Sequence, residues 1–80
     1  MSTVAETVKR ILDEQGRTQA WVIEKMNLIN PGLHMEKSKF SAIAVGKRKM
    51  SSDELLTFCM ALEVSPDEFI KKHDREKEVV

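Results

Sequence analysis

A repeated helix-start pattern, Ser or Thr followed three residues later by Glu and then by an apolar stripe, most restricts the fold of this chain. In such a capping box, each of the two residues accepts a hydrogen bond from a free backbone N–H of the other. Each occurrence therefore predicts where one helix begins. The pattern occurs at Thr3 and Glu6, at Ser51 and Glu54, and at Ser65 and Glu68.

The spacing of apolar residues between these starts predicts five helices and no strand. Helix one spans residues 3–15, and helix two runs from its N-cap Thr18 to about Met26 or Asn27. Helix three lies within residues 36–46, and helices four and five follow Ser51 and Ser65. We expect an all-α, five-helix single domain over residues 1–80, with a core of about residues 3–72 and a frayed tail at 73–80.

Composition indicates a small globular protein and argues against enzyme chemistry. Hydrophobic residues are 41% and charged residues 32% of the 80 residues, and no apolar run is long enough to span a membrane. The single cysteine, Cys59, cannot form an internal disulfide, which favours a reducing cytoplasm. His34 and His73 have no partners at metal-ligand spacing, so no metal, cofactor, small-molecule ligand or catalytic group is expected.

The net charge of zero conceals a segregated distribution. Residues 37–50 carry five basic groups and no acidic one, whereas residues 51–80 carry four basic and eight acidic groups. A local excess of this size can focus a positive potential in a neutral protein. The five basic residues are Lys37, Lys39, Lys47, Arg48 and Lys49.

Helix three is predicted to present small and basic side chains outward. Phe40 and Ile43 recur at helical spacing and face the core, which leaves Ser41 and Ala42 on or near the outer face. Gly46 supplies the positive φ that ends the helix. A helix of this kind can face a polyanion, although a solvated surface helix beside a charged loop has the same pattern.

Three segments in order resemble the Cro and phage-repressor helix-turn-helix family, over roughly residues 8–70. The first is Thr18-Gln19, the second is Phe40-Ser41-Ala42-Ile43 leading to Gly46-Lys47-Arg48-Lys49, and the third is Leu62-Glu63-Val64-Ser65-Pro66-Asp67-Glu68-Phe69. The resemblance implies a lambda-repressor-like fold. It also implies a sequence-specific, double-stranded DNA-binding transcription regulator of phage or mobile-element type.

The same resemblance implies a role for individual residues. Gln19 matches a glutamine that bonds a phosphate and steadies helix three, and Lys37, Ser38 and Ala42 match positions that reach base edges of the major groove. Lys49 matches a loop position on the sugar-phosphate backbone, and Cys59 matches a buried alanine, which favours an inert core thiol. The full expected DNA-contact set is Thr18, Gln19, Lys37, Ser38, Lys39, Ser41, Ala42, Lys47, Arg48 and Lys49.

The turn between helices two and three is longer than in the resembled family. The extra residues lie in Leu28–His34, and Asn27 stands where the family's turn usually carries Gly. Asparagine, like glycine, tolerates the left-handed conformation.

Two kinds of partner are consistent with the sequence. The favoured partner is duplex DNA bound by a homodimer, with Leu56, Met60 and Ile70 as the candidate dimer surface. The alternative is a protein-interaction module, resembling an antirepressor, on the same fold without a specific DNA site.

Overall fold

The structure is a computed structural model that describes residues 3–69. Within that range all regular secondary structure is helical, which confirms the all-α prediction. Two 3₁₀ helices, Pro31–Leu33 and Pro66–Phe69, accompany the α-helices. The four α-helices are α1 (Val4–Gln15), α2 (Gln19–Ile29), α3 (Lys37–Ala44) and α4 (Ser52–Leu62).

The predicted start signals of α1, α2 and α4 are confirmed. Thr3 Oγ1 accepts the Glu6 N–H at 3.1 Å, and the Glu6 carboxylate accepts the Thr3 N–H at 2.9 Å. The same reciprocal pair forms between Ser51 and Glu54, and Thr18 Oγ1 accepts the Trp21 N–H at 3.1 Å. Satisfying these otherwise free donors fixes where each helix begins.

The third predicted capping box, at Ser65 and Glu68, is wrong. Ser65 Oγ accepts the N–H of Asp67, and the Glu68 carboxylate instead accepts a hydrogen bond from Arg10 at 2.8 Å. The segment forms the 3₁₀ helix Pro66–Phe69, so residues 3–69 do not contain a fifth α-helix. The remainder of the predicted fifth helix and the tail lie outside the described residues.

Helix α2 continues past its predicted end at Met26 or Asn27 and stops at Ile29. Asn27 is therefore helical, and the left-handed residue of this turn is His34, with φ 51°. The Asn27 amide reaches across the turn, accepting the Met35 N–H at 2.8 Å and donating to the Met35 carbonyl at 2.9 Å. We call this pair of bonds the Asn27–Met35 clamp.

The core lies where α3 and α4 meet α1 and α2. The Phe40 ring of α3 stacks on Phe58 of α4 with centroids 6.1 Å apart, and Phe69 meets Phe58 edge-on at 5.9 Å. This aromatic contact fixes the inner face of α3 and so decides which of its residues face outward. The other buried core residues include Val8, Ile11, Leu12, Val22, Met26, Met35, Ile43, Ala61 and Leu62.

In the part of the chain that the structure describes, no helix combines the length and the apolar character needed to cross a membrane.

Candidate nucleic-acid interface

The N-terminus of α2 is tied directly to α3. Gln19 Oε1 accepts a hydrogen bond from Ser41 Oγ at 3.0 Å, and both side chains are half-buried. The Nε2 group of Gln19 has no hydrogen-bond partner within residues 3–69, so its N–H donors remain open to a ligand. Thr18 lies beside it, with its hydroxyl used in the helix cap. These contacts place the start of α2 beside the middle of α3.

The N-terminal turn of α3 is the most open part of that helix. Lys37 and Ser38 are exposed and make no hydrogen bond or ion pair with other described residues. Lys39 is half-buried, and its Nζ donates to the His34 carbonyl at 3.4 Å. The N-cap residue Glu36 is exposed and makes no side-chain capping bond. Free donors are therefore concentrated at Lys37 and Ser38.

The basic loop folds back onto the C-terminal end of α3. The Ala42 carbonyl accepts N–H bonds from both Lys47, at 2.8 Å, and Arg48, at 3.2 Å. Gly46 makes this return possible with φ 82°, as predicted. Ala42 itself is half-buried, whereas Lys47 and Lys49 are exposed. Helix α3 has eight residues and is roughly 12 Å long. Exposed lysines lie near both of its ends, Lys37 at the start and Lys47 just after the end.

Arg48 differs from the lysines because the structure gives it an internal partner. Its guanidinium donates to both carboxylate oxygens of Glu54, at 3.0 and 3.1 Å, and Glu54 is 6% exposed. Burial raises the pKa of Glu54, but hydrogen bonds from Arg48 and the Ser51 N–H outweigh burial and bring the pKa below its ordinary value. Arg48 therefore anchors the basic loop to the start of α4.

Glu54→Gln should remove a pH-dependent part of the stability. Because the pKa of Glu54 is lower in the folded state, its ionised form stabilises the protein. This contribution is complete at pH values above the unfolded-state pKa of about 4.3, and it is lost as the pH falls through the folded-state pKa. Urea unfolding at a series of pH values should therefore show a wild-type advantage over the variant that shrinks in acid. Arg48→Met should reduce the same pH-dependent portion. If the difference in free energy of unfolding between wild type and variant stayed constant from neutral pH down to about pH 3, the lowered pKa of Glu54 would be contradicted.

Two contacts of this region were not predicted from the sequence. The Arg17 guanidinium lies over the Trp21 ring, 4.1 Å from its centroid, which holds a cation at the start of α2. The Gln19–Ser41 bond joins residues that are 22 positions apart. Arg17 lies before the N-cap Thr18, so helical spacing does not predict the first contact. The resemblance gives Gln19 a role in steadying helix three but does not identify Ser41 as its partner.

The structure brings the predicted contact residues together in one region: Thr18 and Gln19 at the start of α2, the residues of α3, and the loop after it. The chain matches no protein-family model, no curated protein sequence and no solved structure.

Proposed function

We propose that this protein binds duplex DNA in a sequence-specific manner and regulates transcription, as a repressor of phage or mobile-element type acting in the cytoplasm. The observation that carries the proposal is the tie between α2 and α3. The Gln19–Ser41 bond holds the α2 start beside an α3 whose Lys37 and Ser38 are exposed and unpaired. This arrangement supports a lambda-repressor-like helix-turn-helix in which α3 enters the major groove.

The side chains divide into groups that read bases and groups that hold the backbone. Lys37 and Ser38 can donate to acceptors on base edges, and Ala42 can meet a thymine methyl group. Lys47 and Lys49 are exposed cations suited to phosphates, as is the open Nε2 group of Gln19. Thr18, Lys39, Ser41 and Arg48 would act chiefly by positioning these groups, because each already has a partner in the fold.

A homodimer fits this function better than a monomer. An α3 of eight residues reads only a few base pairs, and paired half-sites about 34 Å apart would lengthen the recognised sequence. Leu56 and Met60 of α4 are 49% and 61% exposed, which supports their assignment to a dimer surface. The third residue proposed for that surface, Ile70, lies outside the described residues.

Four alanine variants should distinguish the residues that contact bases from the residues that contact phosphates. Lys37→Ala and Ser38→Ala should reduce discrimination between the best site and a scrambled duplex, because a good base contact contributes about 1–3 kcal/mol. Lys49→Ala should weaken both duplexes alike and lower the salt slope by about one. Gln19→Ala should also act without sequence preference, but with little change of slope because glutamine is uncharged. Titrations of a site selected from a random duplex pool, at several salt concentrations, measure these quantities.

Lys25→Ala on α2 is the matched control, since it removes an exposed lysine that lies beside Trp21 and outside the expected DNA-contact set. It should leave both discrimination and slope close to wild type. The wild-type slope itself should be roughly −3 to −5 for three to five neutralised phosphates. A flat salt response, or uniform small losses in all four variants, would overturn the DNA-binding proposal.

The second candidate is a protein-interaction module on the same fold, resembling an antirepressor. The exposed apolar residues Leu56 and Met60 favour it, because together they form an apolar strip on α4. This candidate predicts weak DNA binding, no selected site and no contrast between Lys37→Ala and Lys49→Ala.

A further inference from the structure

A half-open groove separates the start of α1 from the loop that joins α3 to α4. Its volume is about 630 Å³, and it is lined by residues 3–6 and 9 on one side and by residues 43–46 and 48–50 on the other. Two valines, Val4 and Val45, line it while remaining 40% and 57% exposed. Gly46 brings the loop close to α1, since a Cβ at this position would lie 3.7 Å from the Ala5 Cβ. The groove therefore offers apolar surface to a partner.

The unpaired charges of the groove are positive. Glu6 is engaged in the α1 capping box and Arg48 in the pair with Glu54. Lys9 and Lys49 line the groove, are exposed, and have no partner within residues 3–69. A complementary occupant would present apolar side chains beside a carboxylate.

One exposed stripe of α4 has this composition. Asp53, Leu56 and Met60 follow one another at intervals of three and four residues, so they lie on one face of the helix. Leu56 and Met60 are exposed and apolar, and the exposed carboxylate of Asp53 precedes them. The Asp53 side chain makes no hydrogen bond or ion pair with other described residues. The stripe spans about 10 Å along the helix.

We propose that the groove binds the α4 stripe of a second copy of this chain. Leu56 and Met60 would lie against Val4 and Val45 of the other copy, with the Asp53 carboxylate near its Lys9. This contact joins two different surfaces, so it does not require Leu56 and Met60 to meet their own counterparts. If both contacts form at once the result is a closed dimer, and if only one forms at a time the result is a chain of copies. The inference does not depend on DNA binding.

Two carboxylate substitutions, Val45→Glu and Met60→Glu, test the proposal in the absence of DNA. Sedimentation of the wild type should show self-association over a series reaching about 1 mM. Each variant alone should associate at least about tenfold more weakly, because a carboxylate would be buried without a partner. Mixing them should restore a one-to-one complex, since Met60→Glu keeps an intact groove and Val45→Glu keeps an intact stripe.

Leu28→Glu is the matched control, because Leu28 is 72% exposed on α2 and lies outside both surfaces. It should associate like the wild type, and circular dichroism should show all three variants folded. The proposal is overturned if the wild type stays monomeric, if Val45→Glu associates normally, or if the mixture stays monomeric. An equal loss in Leu28→Glu would also overturn it, since the added charge alone would then explain the effect.

Discussion

Phe40→Ala should lower the free energy of unfolding by about 3–5 kcal/mol, the range for removing a fully buried phenylalanine. The Phe40 ring is 0% exposed and stacks on Phe58, so its loss leaves a cavity between α3 and α4. Small domains are stable by only about 5–15 kcal/mol in total. The substitution should therefore remove a large fraction of the stability of this protein.

Urea unfolding followed by circular dichroism measures this loss. Leu28→Ala is the control, since it truncates a large apolar side chain that is 72% exposed, and its effect should stay within about 0.5 kcal/mol. If Phe40→Ala cost less than about 1 kcal/mol, the ring would not be enclosed as described, and the inner face of α3 would be misassigned.

Asn27→Ala should lower the free energy of unfolding by about 2 kcal/mol and weaken the attachment of the segment that precedes α3. The Asn27–Met35 clamp satisfies both the N–H and the carbonyl of Met35, whose side chain is buried. Removing the partner of a buried backbone group costs about 1–3 kcal/mol, and alanine can replace neither bond. If the proposed function is right, DNA affinity should fall as well, because α3 begins two residues after Met35.

Hydrogen exchange at the Met35 amide reports on the clamp directly, and unfolding in urea gives the total loss. Asn30→Ala is the matched control, because Asn30 lies in the same turn and its side chain makes no capping hydrogen bond. The control should leave Met35 protected from exchange. Unchanged Met35 protection in Asn27→Ala would show that the clamp does not hold this segment.

The local part of the fold could be predicted from the sequence. The caps at Thr3, Thr18 and Ser51 and the left-handed glycine at Gly16 depend on residues three or four positions apart, so a linear pattern contains them. The box at Ser65 was predicted by the same rule and was wrong. There the glutamate is bonded to a distant residue, Arg10, which a local rule does not include.

The same distinction applies to the candidate site. Exposed Lys37 and Ser38 followed from helical periodicity around the buried Phe40. The pairing of Arg48 with Glu54 was missed, because Glu54 was already explained by its capping box and a carboxylate can accept several hydrogen bonds. The end of α2 was misplaced for a related reason, since the role of Asn27 depends on the backbone of Met35 across the turn.

The Asn27–Met35 clamp also bears on how the length of this chain could change during evolution. It joins the two ends of the segment 28–34, which contains the last two residues of α2 and the 3₁₀ helix Pro31–Leu33. Surface loops with fixed ends accept insertions at small entropic cost, since doubling a loop costs only about 0.6 kcal/mol. Homologues could therefore gain residues at the exposed turn 31–32 while α3 keeps its place. For proteins with this clamp, the number of residues between α2 and α3 is then a poor criterion of homology.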